Sequence, residues 1–143
     1  MLFRSCAGGV VFLEDKVLIL KNEKDEWVLP KGAIRNGNLS RDTAINRVKE
    51  ETGVNAEIVS SIGETCYEFY SISRQQPVCN EITWYLMSAS NDHCELNKEL
   101  GFKDVGFFSI EEALDMITYS QDRSLVSLSY RKFKELSEKE LMV

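Results

Sequence analysis

The sequence is poor in the residues that build zinc sites, disulfide scaffolds and membrane spans. Of its 143 residues only His93 is a histidine, and no apolar run reaches the length of a membrane span. Residues 1–6 lack the apolar core of a signal peptide. The four cysteines are scattered and form no CxxC pair, which argues against structural zinc and favours reduced, packed thiols: Cys6, Cys66, Cys79 and Cys94. We therefore expect a cytoplasmic protein with no membrane partner.

The chain also lacks a basic surface signature. Its formal net charge is −6, and no cluster of Lys and Arg stands out before the C-terminal helix. Attraction to DNA or RNA is therefore not expected. An acidic protein can still hold a polyphosphate if a divalent cation or a few placed basic residues supply positive charge locally. Because 43% of the residues are hydrophobic, residues 1–143 can bury the core of one domain.

Hydrophobic patterning predicts strands on both sides of one central helix. Residues 3–13 and 16–20 indicate a hairpin, and residues 40–52 have helical spacing with Gly53 just past the last turn. Further strands are expected at residues 56–60, 64–71, 81–88 and 105–108. Ser109 and Glu112 have capping-box spacing ahead of a short helix. A last helix over residues 121–140 carries an apolar stripe: Leu125, Leu128, Phe133 and Leu136. This order favours an α+β sandwich with a mixed sheet.

The chemistry is concentrated in residues 27–54. A strand ends at Pro30 and Lys31, and Gly32 offers backbone that can approach a ligand closely. Two consecutive carboxylates, Glu50 and Glu51, stand near the C-terminal end of the central helix. Because the macrodipole disfavours negative charge there, a cation would relieve it. Carboxylate and carbonyl oxygens suit Mg²⁺ or Mn²⁺, which can support hydrolysis of a diphosphate.

This segment resembles the Nudix box, whose pattern is G-x5-E-x7-R-E-U-x-E-E-x-G-U with U a bulky aliphatic residue. The positions that match at the required spacing are Gly32, Val48, Glu50, Glu51, Gly53 and Val54. The resemblance implies a Nudix hydrolase: an α/β/α sandwich that uses Mg²⁺ or Mn²⁺ to hydrolyse a nucleoside diphosphate linked to another group. Arg4 ahead of two glycines, the Leu-Pro-Lys-Gly run and Tyr67-Glu68-Phe69 are similar to the diadenosine tetraphosphate hydrolase type.

Three positions depart from the family pattern. The first Glu falls on Asn38, the Arg on Asn46 and the next Glu on Arg47. In the family the Arg orients the glutamates, and the Glu contributes to metal binding or base catalysis. Arg47 can pair with Glu50 or Glu51 on a helix, so its guanidinium could replace a metal charge, compete with it, or contact a phosphate. The sequence leaves these alternatives open.

The resemblance assigns roles to a small set of residues. Glu50 and Glu51 are predicted to be catalytic and, with Gly32, to bind metal. Glu99 is the preferred replacement for the missing acid, with Glu95 and Asp104 as alternatives. The residues predicted to bind substrate are Arg4, Lys31 and Tyr67. For Arg4 the alternative is a cross-strand ion pair, for Lys31 a surface position, and for Tyr67 cross-strand packing.

Two functions follow from this pattern. The first is a metal-dependent pyrophosphohydrolase that acts on a small-molecule nucleotide. Its expected substrate is a dinucleoside polyphosphate or a related nucleotide. The second, prompted by Asn38, Asn46 and Arg47, is a nucleotide-binding or regulatory module that no longer hydrolyses. The glycine frame and both final glutamates favour the enzyme. A monomer or a homodimer is expected in either case.

Overall fold

A seven-stranded mixed sheet forms the centre of the protein in a computed structural model that describes residues 1–141. Five strands follow the order β3-β2-β1-β6-β5, β4 pairs with β1, and β7 pairs with β2. The strands are β1 (Leu2–Leu13), β2 (Lys16–Lys21), β3 (Trp27–Val28), β4 (Lys31–Ala33), β5 (Ala56–Ser71), β6 (Gln76–Ala89) and β7 (Asp104–Ser109). The predicted hairpin of β1 and β2 is confirmed, and its turn contains Glu14 at φ 55°.

The central strand β1 makes the sheet mixed. It runs parallel to β6 over the whole stretch from Leu2 to Phe12 and antiparallel to β2 and β4. Both faces of β1 are covered from Cys6 to Phe12, which explains why its sequence is continuously apolar rather than alternating. The expected mixed sheet is therefore confirmed, with the second half of β1 enclosed on both faces.

Three helices cover the two faces of the sheet: α1 (Ser40–Thr52), α2 (Ile110–Met116) and α3 (Ser120–Leu141). On one face α1 buries Ala44 and Val48 in a cluster with Val11 and Met87. On the other face α2 and α3 enclose a larger cluster around Phe12, Trp84 and Leu125. This confirms the α/β/α layering. Among residues 1–141 no helix has the length and apolarity needed to cross a membrane.

Local signals place the helix ends where the sequence predicts them. Gly53 follows α1 at φ 76° and donates its N–H to the Lys49 carbonyl at 2.8 Å, as a C-terminal glycine does. At the start of α2 the Ser109 hydroxyl accepts the Glu112 N–H at 3.2 Å and lies 3.0 Å from the Glu112 carboxylate. Ser109 is thus the N-cap of α2, as the spacing predicts, and Glu112 contacts the Ser109 hydroxyl rather than its backbone N–H.

Three details differ from the sequence prediction. The segments expected as separate strands form one strand, β5, because two register shifts near Ser60 and Gly63 keep it paired with β6. The stretch expected to be a loop after Pro30 contains β4, which pairs with β1. Leu128 was wrongly assigned to the buried stripe of α3: its side chain is 62% exposed, and Val126 lies in the core instead. The other three residues of the predicted stripe, Leu125, Phe133 and Leu136, do pack in or against the core cluster.

Candidate active site

The strand β4 and the last two turns of α1 bring the predicted site residues together. Gly32 lies on β4 opposite Ala7 of β1, on the sheet face that α1 covers. A Cβ added to Gly32 would lie 2.3 Å from Nε of Arg47. Only a glycine can therefore occupy this position while the Arg47 side chain lies across it. The close approach of the Arg47 side chain to the backbone of residue 32 therefore explains why this position is a glycine.

The Arg47 guanidinium is held between the two carboxylates of α1. Its Nη2 donates to Oε2 of Glu51 at 2.6 Å, and its Nη1 donates to Oε2 of Glu50 at 3.2 Å. These are i,i+4 and i,i+3 contacts on one helix face. The Glu51 carboxylate is also reached from β4, because the Lys31 backbone N–H donates to its Oε1 at 3.3 Å. Both oxygens of Glu51 therefore accept hydrogen bonds from the protein itself.

Glu50 and Glu51 lie in different environments. The Glu51 side chain is 5% exposed, whereas that of Glu50 is 58% exposed. Burial raises the pKa of the Glu51 carboxyl, and the Arg47 charge, its hydrogen bond and the Lys31 N–H oppose that rise. Glu51 is thus a buried carboxylate that depends on Arg47 for its countercharge. Glu50 is the carboxylate of the pair that faces solvent.

The donor set does not fit a divalent cation in this arrangement. Mg²⁺ and Mn²⁺ require several free oxygen ligands around one point. Here the Arg47 guanidinium takes Oε2 of both glutamates, and Lys31 N–H takes the remaining oxygen of Glu51. Within residues 1–141, no three His, Cys, Asp or Glu side chains are grouped so that they could hold a metal ion. The cation that the carboxylates contact is a guanidinium.

Glu99, the predicted replacement acid, and two of the three departures from the Nudix pattern are exposed. Glu99 is an exposed residue in the turn that ends at Gly101, and this turn packs against Glu23. It is not grouped with Glu50 and Glu51 in the described part of the chain. The same loop does touch α1, since the Asn97 side chain donates to the Glu50 carbonyl at 2.8 Å. Two further positions, Asn38 and Asn46, are exposed.

A cleft of about 640 Å³ opens on the other face of the sheet, toward the start of α3. Lys31 and Tyr67, two of the predicted substrate-binding residues, both line it. Tyr67 stacks on Phe69 with ring centroids 5.9 Å apart, and the two side chains are 39% and 38% exposed. The remaining residues lining the cleft are Asn22, Glu23, Lys24, Glu26, Val28, Thr65, Glu68, Ile82, Tyr119, Ser120, Gln121 and Asp122.

Lys31 connects the cleft to the carboxylates. It pairs with Gly8 on β1, and its Cβ lies on the same face of the sheet as the Trp84 ring. Its side chain therefore enters the cleft while its backbone N–H reaches Glu51 on the opposite face. One residue of a three-residue strand thus contacts both parts of the candidate site.

Arg4 lies beside the cleft without lining it. It is half-buried on β1, in register with Asn80 of β6. The Asn80 amide in turn donates to the Tyr67 hydroxyl at 2.7 Å, so Arg4, Asn80 and Tyr67 form a row across three strands. No ion pair of Arg4 occurs in residues 1–141. The cross-strand ion pair considered as its alternative role is absent from that part of the chain.

Sequence reasoning missed the acidic wall of the cleft. Asp122 stands in the first turn of α3 and lines the cleft, and burial raises the pKa of its carboxyl, with the Lys31 charge opposing. Glu26 accepts hydrogen bonds from Asn22 and from the Tyr119 hydroxyl. An acid in the first helical turn is common for electrostatic reasons alone, so nothing in the sequence distinguished Asp122 as a site residue.

Removing the Tyr119 hydroxyl should loosen this wall. We expect Tyr119→Phe to lower the free energy of unfolding by about 0.5 to 1 kcal/mol at neutral pH, a modest value because the pair is largely exposed. The hydrogen bond lowers the pKa of Glu26 and raises that of Tyr119 to about 12. The Glu26 contribution is therefore present above the unfolded carboxyl pKa and lost as the pH falls through the folded one. The Tyr119 contribution is lost as the pH rises toward about 12.

Urea denaturation of both proteins at pH 7 and at about pH 3 measures this. The difference between wild type and variant should be smaller at the acidic pH, because the Glu26 contribution is lost as the pH falls toward and through its lowered folded-state pKa. A difference that is equal at both values would show that the tyrosine acts through packing alone. Tyr70→Phe, at an exposed position on β5, is the matched control and should leave stability unchanged at either pH.

Comparison with known proteins gives the same family throughout. The family model described as NUDIX domain matches residues 2–128. The RNA pyrophosphohydrolase of Ruthia magnifica is 30% identical over 127 residues, covering 75% of this chain and 71% of that protein. The mutator protein MutT4 of Mycobacterium tuberculosis is 29% identical over 103 residues, covering 72% of this chain. The chain spans only 40% of the length of MutT4.

Solved structures show the same fold at low sequence identity. A C. elegans Ap4A hydrolase superposes with a TM-score of 0.67 at 18% identity, covering 92% of this chain and 98% of that one. An E. coli dihydroneopterin triphosphate pyrophosphohydrolase gives 0.70 at 14% identity, with 90% and 97% covered. Both confirm the sandwich architecture.

Proposed function

This chain belongs to the NUDIX domain family of hydrolases, and we propose that it hydrolyses a diphosphate linkage in a nucleotide held between the cleft and the carboxylates of α1. Members of this family act on nucleoside diphosphate derivatives. The observation that carries the proposal is the double contact of Lys31, whose side chain lines the cleft and whose N–H reaches Glu51. A ligand whose phosphates lie at Lys31 would extend from the cleft to the edge of the carboxylate pair.

The cleft suits a nucleobase at one end and phosphate at the other. Tyr67 and Phe69 present half-exposed aromatic rings on which a base can stack. The Lys31 ammonium can bind a phosphate oxygen as a point charge. Asp122 can accept a hydrogen bond from a base amino group at the start of α3. Arg4, in register with Asn80 beside Tyr67, is placed to contact a distal phosphate or ribose.

Hydrolysis adds one water across a P–O–P bridge and releases two phosphate-bearing products. The exposed Glu50 carboxylate can take a proton from the attacking water. Lys31 can offset charge that develops on the phosphoryl oxygens. Glu51, buried and hydrogen-bonded to the Lys31 N–H, fixes β4 relative to α1 and so sets the distance between these groups. In this scheme Glu51 holds the frame, and Glu50 is the candidate base.

Family membership implies Mg²⁺ or Mn²⁺ as the cofactor, since Nudix hydrolases generally use divalent ions. Gly32, Glu50 and Glu51 are its candidate ligands, and Glu99 the candidate fourth. The arrangement of Arg47 described above does not accommodate such an ion. We therefore expect weak dependence on metal, and each assay needs to be run with either ion and with chelator.

A nucleotide-binding module without turnover is the second candidate. The observation that favours it is again the guanidinium of Arg47, which occupies carboxylate oxygens that a catalytic cation would need. The binding cleft does not depend on those oxygens. This candidate therefore retains the proposed contacts to the nucleobase and to the phosphate, and it lacks only the hydrolysis reaction.

Product release from a nucleotide panel tests the proposal. The panel holds dinucleoside polyphosphates, 5′-triphosphorylated RNA, nucleoside triphosphates and ADP-ribose, each with Mg²⁺, Mn²⁺ or chelator. We expect turnover on at least one class, and a rise in KM of roughly tenfold in Tyr67→Ala from the loss of base stacking. Ile72→Ala, which alters a residue that is 86% exposed in the turn after β5, is the control and should leave KM unchanged. Folded protein with no turnover on any class would favour the binding module.

A further inference from the structure

Arg47 has more hydrogen-bonding capacity than its two glutamate partners use. A guanidinium carries five N–H groups, and the structure assigns one to Glu50 and one to Glu51. The Nε–H is buried beside Gly32 and has no acceptor among residues 1–141. The side chain as a whole remains 26% exposed, so solvent reaches part of it although Nε is buried. A buried donor without an acceptor is costly and points to a ligand or an alternative position of the group.

The charges around Gly32 comprise two cationic groups, Arg47 and Lys31, and two carboxylates. The carboxylates of Glu50 and Glu51 are each bonded to the guanidinium, which leaves a local charge of about −1. The Lys31 charge lies close enough to affect the pKa of Glu51. When the Lys31 ammonium is counted together with Arg47 and the two glutamates, the net charge of the site without a metal ion is close to zero. A phosphate group therefore meets two fixed positive groups there rather than bare carboxylates.

We propose that Arg47 is a built-in cation that binds a phosphate of the nucleotide, so that ligand binding does not require a divalent metal. The free edge of its fork and the Lys31 ammonium then grip the diphosphate from either side of β4. Glu50 and Glu51 hold the guanidinium in place. The inference rests on the proposed function only for the class of ligand, a nucleoside diphosphate, and not for turnover.

Equilibrium binding of ADP in the presence of chelator tests this directly. We expect wild type to bind ADP with an affinity that Mg²⁺ or Mn²⁺ changes by less than about threefold. Arg47→Ala should weaken metal-free binding by roughly 10- to 100-fold, because a charged hydrogen-bond donor is lost. Arg41→Ala removes the same charge from an exposed position in the first turn of α1 and should change the affinity little.

Thermal unfolding with Mn²⁺ alone provides a second readout. Arg47→Glu places a third carboxylate on the helix face of Glu50 and Glu51 and removes the competing guanidinium. We expect Mn²⁺ to raise the Tm of Arg47→Glu and to leave the Tm of wild type unchanged. ADP binding by Arg47→Glu should then depend on Mn²⁺. Each variant is compared with its own chelated sample, so a change in basal stability does not affect the result.

The outcomes separate this inference from the proposed function. Wild-type binding of ADP that disappears in chelator, or a wild-type Tm that Mn²⁺ raises as strongly as that of Arg47→Glu, would overturn it. Metal-free binding that survives in Arg47→Ala would also overturn it. If Arg47→Ala does not fold, Arg47→Lys keeps the charge without the fork and should still bind more weakly than wild type. Metal-free binding without turnover on the nucleotide panel would leave this inference standing and end the proposed hydrolysis.

Discussion

Glu51→Gln is expected to lower nucleotide hydrolysis by more than about 100-fold, a loss similar to that from removing a placed electrostatic group at an active site. Glu51 is 3% exposed, and both of its oxygens accept hydrogen bonds. A glutamine has one oxygen and one NH2 group, so it can accept from Lys31 N–H or from Arg47 but not from both. At the other contact the glutamine NH2 group would face a second N–H donor with no acceptor between them. The Arg47 charge would also lose the buried carboxylate that balances it.

Steady-state kinetics on the best substrate of the panel measures this loss, with circular dichroism to confirm folding. Glu57→Gln makes the same chemical change at an exposed position on β5 and is the matched control. We expect kcat to fall in Glu51→Gln while Glu57→Gln keeps wild-type values. A Glu51→Gln protein that is folded and turns over normally would show that the Glu51 contacts do not set the geometry needed for hydrolysis. Glu50→Gln adds a diagnostic comparison, because loss of a general base should flatten the acidic limb of the pH–rate profile.

Trp84→Ala should have the largest effect on stability, with a cost of about 3 to 5 kcal/mol for truncating a large buried aromatic residue. Trp84 is 1% exposed and belongs to the core cluster beneath α2 and α3. Its indole N–H donates to the Thr65 hydroxyl at 2.7 Å. The ring also lies against Gly8, where β1 pairs with Lys31 of β4. The cavity would therefore open directly behind the strand that joins the cleft to Glu51.

Urea or thermal unfolding measures this loss of stability. Nucleotide binding by the variant shows whether the cavity also disturbs the cleft. Trp84→Phe keeps most of the ring volume and loses the hydrogen bond to Thr65, so it should be clearly less destabilised. Tyr70→Ala removes a ring that is 62% exposed at the end of β5 and should cost under about 1 kcal/mol. Comparable losses in Tyr70→Ala and Trp84→Ala would contradict the assignment of Trp84 to the core.

Sequence periodicity was sufficient to predict a helix or strand wherever a local pattern of residues defines that element. The central helix has the predicted limits because Ala44, Val48 and the terminal Gly53 act within a few residues of one another. The hairpin of β1 and β2 and the Ser109 cap of α2 are local in the same way. Of the strands that were missed or divided, β4 is defined by its pairing with the distant β1, and β5 is continuous because it stays paired with β6 across two register shifts. A strand that exists through its partner leaves a weak signal in its own sequence.

The sequence by itself determined the family, the spacing of Gly32, Glu50 and Glu51, and the substitution at Arg47. These are fixed by residue type and by position along one helix and one turn. Only the tertiary structure decided that Arg47 takes the carboxylate oxygens, that Lys31 reaches both faces of the sheet, and that Asp122 and Tyr119 wall the cleft. The contacts of Lys31 and the wall of the cleft join residues tens of positions apart, and they depend on how α1, β4 and α3 pack on the sheet. Helical spacing permits an i,i+3 or an i,i+4 contact, and Arg47 makes both while its side chain packs against Gly32.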